Sequence, residues 1–140
     1  MKSLQETVAL LDKLDLFSAD DLEDQDLDFK EWIQRSMFDS VRLVIHMAVC
    51  MANGGGGSVV FGVNDKSIGR AKAILGVPPE VNVNLLKKAV YDSTDPKLTP
   101  VFHEIFVPEG TGRLLLMHVY PGLPPYTDTS GQGTIRIGKD

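Results

Sequence analysis

Apolar residues recur at helical spacing in three stretches of the chain. Leu4, Val8, Leu11 and Leu14 share one face of an amphipathic helix over Met1 to Phe17. Val41, Val44, Ile45, Ala48 and Met51, widened by Leu43, Met47 and Cys50, predict a helix from about Ser40 to Asn53, with Asp39 or Ser40 as its N-cap. Leu85, Leu86, Ala89 and Val90 predict another, capped by Asn82 or Asn84 and ending before Asp95-Pro96. Strand patterns fall between them. Leu27 and Phe29 alternate with Asp28 and Lys30, and Val59, Val60, Phe61 and Val63 form a run covered on both faces. Val101 to Val107 and Arg113 to Tyr120 flank the turn Glu109-Gly110-Thr111-Gly112 as a hairpin, and Thr134 to Ile137 closes the chain as a last strand. Asp65 to Pro79 and Pro121 to Gly133 read as irregular connections.

The order predicts an α/β (α+β) fold, a single mixed sheet of about five strands with helices packed on it. Residues 1–18 read as an N-terminal helix or arm, and residues 19–140 as one domain, long enough to bury a core.

The formal charge of −5 is unevenly placed, with nine acids and two bases in residues 1–28 and a net of +2 over residues 29–140. The mildly basic body leaves a nucleic-acid partner open without amounting to an electrostatic footprint. Cys50, the single cysteine, excludes disulfide stapling, suits core packing and points to a reducing, cytoplasmic setting. Met1 to Leu16 mixes charges through its apolar positions and does not read as a secretory signal. Leu43 to Asn64 carries no formal charge, but its glycines divide it into pieces too short to span a bilayer.

Between the second helix and the buried strand lies Gly54-Gly55-Gly56-Gly57, which reads either as a helix C-cap and turn or as an anion-facing loop. It is neither a Walker A loop, lacking Gly-Lys-Ser/Thr, nor a dinucleotide fingerprint, since a strand rather than a helix follows it. His46, His103 and His118 lack zinc spacing, although His103 and His118 could face each other across the hairpin. Ser58 lacks a nucleophile elbow, and nothing in the sequence places a histidine beside it.

Three ordered motifs resemble the Schlafen AlbA-like domain family. Ala52, Asn53, Gly56, Gly57, Gly62, Val63 and Asp65 match its Ala-Asn-Thr-x-Gly-Gly segment and following strand. Glu23 through Lys30 resembles its opening motif, an acid followed five positions later by Glu-Phe-Lys, and Thr134-Ile135-Arg136-Ile137-Gly138 resembles its closing strand. Asp28, Gly54 and Thr134 depart from the usual glutamate, threonine and aromatic residue.

The resemblance implies a nucleic-acid-binding module, of the kind carried by bacterial transcriptional-regulator-type proteins, that contacts mainly phosphates. DNA and RNA both fit, and a homodimer or further domains of a longer chain are compatible with it. In some members it implies instead a divalent-metal endoribonuclease acting on structured RNA, whose acidic triad falls on Glu23, Asp28 and Asp65; Mg²⁺ or Mn²⁺ would be the cofactor if these carboxylates converge. A third reading is a protein-interaction or dimerisation module using the N-terminal helix. The phosphate-binding candidates are Lys30, Arg35, Arg42, Lys66, Arg70, Lys72 and Arg136, whereas Lys87 and Lys88 suit a solvent-facing helix side. Trp32 and Phe38 could stack on a base or fill the core.

Overall fold

A computed structural model describes residues 1–33, 35–122 and 125–129. The helices are α1 (Leu4–Leu11), followed by a 3₁₀ turn over Asp12–Asp15, then α2 (Ala19–Leu22), α3 (Met37–Asn53), α4 (Arg70–Ala73) and α5 (Val83–Asp92). The strands are β1 (Leu27–Lys30), β2 (Gly57–Phe61), β3 (Thr94–Asp95), β4 (Val101–Phe106), β5 (Arg113–Val119) and β6 (Thr127–Asp128). The main sheet has the order β1-β2-β5-β4, and β3 pairs with β6 in a small second sheet. β1 and β2 are parallel, with Lys30 opposite Phe61, and the other pairs are antiparallel. The main sheet therefore has four strands among the described residues; the fifth strand expected at Thr134 to Ile137 lies outside them.

Strand side chains alternate between two cores. Val59, Phe61, Leu115, Met117 and Phe102 pack against α3 and α5, while Leu27, Phe29, Val60, Leu114 and Leu116 pack with Leu11, Leu14 and Ile74 on the other side. Coverage of both faces explains why β2 and β5 are buried throughout. The N-terminal helix supplies Leu11 and Leu14 to this second core, but its buried face includes Thr7 rather than the expected Val8, which is exposed. Thr7 is accommodated by an Oγ1 hydrogen bond to the Ser3 carbonyl.

α3 starts one turn before its expected position. Ser36 is the N-cap, its hydroxyl accepting from the Asp39 amide, while Ser40 is buried and exchanges hydrogen bonds with the backbone of Ile33. Because α3 connects two parallel strands, it runs back across the sheet, and its N-terminus stands at the edge where β1 and β2 end. Loop residues at this edge are the usual location of a site in such βαβ units.

The glycine run is architectural. The amides of Gly54, Gly55 and Gly56 donate to carbonyls in the last turn of α3, so they do not form an anion cradle. Gly56 has φ +92°, and a Cβ there would stand 2.9 Å from the Pro121 ring. Asn53, just ahead of the run, clamps the chain near β6: its Nδ2 donates to the Tyr126 carbonyl at 2.9 Å and its Oδ1 accepts from the Tyr126 amide at 2.6 Å.

Candidate functional site

Beyond the end of β2, Gly62 turns the chain with φ +107° at a point where Leu114 and the Gly76 backbone leave no room for a Cβ. Asn64 then shapes the loop, its Oδ1 accepting from the amides of Lys66 and Ser67 at 2.9 and 3.0 Å. The Asp65 carbonyl accepts from the Asp20 amide at 2.8 Å, tying this loop to the first turn of α2. Asp20, Glu23 and Asp65 are thereby gathered, each with a carboxylate oxygen within 4.8 Å of the others.

Glu23 caps α2 at its C-terminal end, and the chain reverses immediately after it through paired backbone hydrogen bonds between Asp24 and Leu27. This reversal returns β1 beside Glu23, whose Oε2 accepts from the Phe29 amide at 2.8 Å. Positions 23 and 28 thus meet although a continuous strand would point them to opposite faces. The Glu23 carboxyl hydrogen bonds with that of Asp28, and its pKa is pushed up to about 9. Burial is the principal cause, reinforced by Asp28; the Phe29 amide and Lys30 act in the opposite direction. Glu23 is therefore protonated at neutral pH.

Asp28 is buried behind Glu23 and stays outside the three-carboxylate group, its Oδ2 3.7 Å from the Lys30 ammonium. Asp20 occupies the third position. All three gathered donors are carboxylate oxygens, the hard ligand set that suits Mg²⁺ or Mn²⁺, and a cation would favour loss of the Glu23 proton. The residues present therefore fit such an ion. Asp20 was not singled out from sequence because an acid in the first turn after a Ser18 cap has an ordinary role there.

The basic candidates divide according to their partners. Arg35, Lys66 and Lys72 are exposed and, among the described residues, form no ion pair. Lys30 is held near Asp28, and the Arg42 guanidinium lies 5.7 Å from the Phe38 ring centroid. Arg70 is occupied structurally, with two hydrogen bonds to Glu109 and one to Asp12. Arg136 lies outside the described residues. Lys87 and Lys88 are exposed on α5, with Lys88 paired to Asp92. Trp32 is buried edge-on to Phe61, whereas Phe38 is 70% exposed.

One expectation is overturned at the centre of the sheet. Ser58 and His118 are opposite each other in the β2–β5 register, and Ser58 Oγ shares a 2.7 Å hydrogen bond with His118 Nδ1. The His103 ring packs edge-on against His118 with centroids 5.4 Å apart. Ser58 is fully buried, which denies it the substrate access a nucleophile needs.

A parallel strand pair joined by a helix, with carboxylates gathered where the strands end, defines a mixed α/β domain with an acidic site at its sheet edge. The Schlafen, AlbA_2 family model matches residues 23–140. The chain belongs to that family. Among solved structures, the DIP2311 protein from Corynebacterium diphtheriae is similar at 25% identity and a TM-score of 0.65, the match covering 83% of this chain and 24% of that one. This chain thus spans about a quarter of the DIP2311 structure. The N-terminal domain of a DNA helicase RecG-related protein from Nitrosomonas europaea has the same fold at 21% identity and a TM-score of 0.54, over 97% of this chain and 88% of that one. No curated protein matches the sequence significantly. Among the described residues, no helix is long and apolar enough to cross a membrane.

Proposed function

We propose that the domain binds DNA or RNA chiefly through phosphates, as the nucleic-acid-binding part of a transcriptional-regulator-type protein. The observation that carries this reading is the distribution of exposed cations: Arg35 precedes α3 at the edge where β1 and β2 end, Lys66 follows Asp65 in the adjacent loop, and Lys72 lies on α4. Such side chains fix a backbone without reading bases. Binding of labelled duplex DNA and structured RNA should weaken steeply with added salt. Lys66→Ala should reduce the slope of log K against log salt by about 1. Absent binding, or affinity insensitive to salt, contradicts the proposal.

A second reading, a metal-dependent endoribonuclease, is favoured by the convergence of Asp20, Glu23 and Asp65. These residues would hold Mg²⁺ or Mn²⁺, which when bound supplies Lewis-acid polarisation of a phosphodiester. The chain's own contribution is to fix the donors: the Phe29 amide orients Glu23, and the Asp20–Asp65 backbone hydrogen bond sets the other two. Incubation of structured RNA with the protein and Mn²⁺ should give cleavage that Asp65→Ala and Asp20→Ala abolish. Binding without metal-dependent cleavage leaves only the binding module.

A further inference from the structure

Phe38, Arg42 and His46 recur every fourth residue along α3 and form one exposed stripe. Beside it runs a groove of about 500 Å³ between α3 and α5, its lining including Val41, Ile45, Ser93 and Asp128. This volume falls within the roughly 300–1,000 Å³ usual for small-ligand sites. Phe38 is 70% exposed at the groove, so its ring contributes little to the core, and Arg42 stands over that ring at 5.7 Å. An open aromatic surface, a neighbouring guanidinium, apolar walls and hydrogen-bonding groups therefore meet in one place.

We infer that the α3–α5 groove takes an unpaired nucleotide of a single strand. The base stacks on Phe38, its edge meets the Ser93 hydroxyl, and Arg42 turns toward a flanking phosphate. A duplex cannot use this surface in the same way, because its base faces are covered by neighbouring bases. The polar lining contributed by Arg42, His46 and Asp128 also distinguishes the groove from the hydrophobic grooves that seat amphipathic helices. The site lies on the α3 side of the sheet, away from the α2 side that contributes Asp20 and Glu23. Its Phe38 end stands in the first turn of α3, which begins at the sheet edge where β1 and β2 end. A strand held there by Arg35 and Lys66 could continue into the groove. The inference rests on the nucleic-acid reading and adds to it a preference for unpaired bases.

Fluorescence anisotropy with labelled oligouridylate, oligothymidylate and a DNA duplex of equal length tests this assignment. The full chain should prefer the single strands, and the two homopolymers separate RNA from DNA as the source. Phe38→Ala should weaken single-strand binding roughly 10-fold, leaving duplex affinity and the melting temperature unchanged, while Phe38→Trp should retain the preference. Arg42→Ala should weaken single-strand binding and lower its salt slope by about 1. If Phe38→Ala binds single strands as tightly as the unaltered chain while Lys66→Ala weakens duplex binding, the groove assignment fails and the phosphate reading stands. Absence of binding to every probe overturns both.

Discussion

The amide of Phe29 donates to Glu23 Oε2 at 2.8 Å, fixing the carboxyl of the residue that ends α2 against the first strand and beside Asp28. Burial and Asp28 together raise the Glu23 pKa from 4.5 to about 9. Across that interval the folded chain holds a proton that the unfolded chain has released. The stability contributed by this proton is present below the unfolded value and is lost as pH rises through the folded one.

Glu23→Gln preserves an acceptor for the Phe29 amide and supplies a donor toward Asp28 without titrating. Its melting temperature should therefore vary less between about pH 5 and pH 9 than that of the unaltered chain, and should exceed it at the alkaline end. Circular dichroism melts across this range check both outcomes. On the metal-binding reading, Mn²⁺ should stabilise the unaltered chain more at pH 8 than at pH 6, because binding would have to displace the Glu23 proton. Equal pH profiles for the two proteins would remove Glu23 from the cluster's protonation.

Sequence periodicity located α3, α5 and the hairpin because their apolar positions face a sheet covered on both sides. It misplaced the start of α3 because Ser40, a plausible cap by composition, turns its hydroxyl inward to Ile33. Family motifs pointed to Glu23 and Asp65, but Asp20 enters their group through the backbone hydrogen bond between Asp20 and Asp65, which has no sequence signature. Arg70 illustrates a different limit: composition marks a cation, and only tertiary contacts show that Glu109 and Asp12 already occupy it.

Arg70 joins the 3₁₀ turn to the hairpin loop through Asp12 and Glu109, with its own backbone amide held by Asp15. Arg70→Ala should destabilise the chain by about 1 kcal/mol, the upper end for partly exposed pairs given the two-point contact to Glu109. Arg70→Lys should recover little because an ammonium cannot reproduce the two-point geometry. Urea denaturation measures the loss. Phosphate-dependent affinity should remain close to that of the unaltered chain, in contrast to Lys66→Ala; a nucleic-acid defect without a stability defect would give Arg70 a binding role instead.

Ser58 and His118 couple the centre of the sheet to acid stability. Burial lowers the His118 pKa below 6.5, and the neighbouring His103 acts in the same direction. The unfolded chain consequently takes up this proton first as pH falls, so the contribution of neutral His118 is present above pH 6.5 and disappears through the lower folded pKa. His103→Gln removes the neighbouring imidazole that opposes the charging of His118 and should raise the His118 ring pKa, a shift that NMR titration reads directly. Ser58→Ala should cost about 1–3 kcal/mol in urea denaturation at pH 7.5, because it strips the hydrogen-bond partner from a buried ring nitrogen. A fully stable Ser58→Ala variant would show that His118 Nδ1 finds another partner.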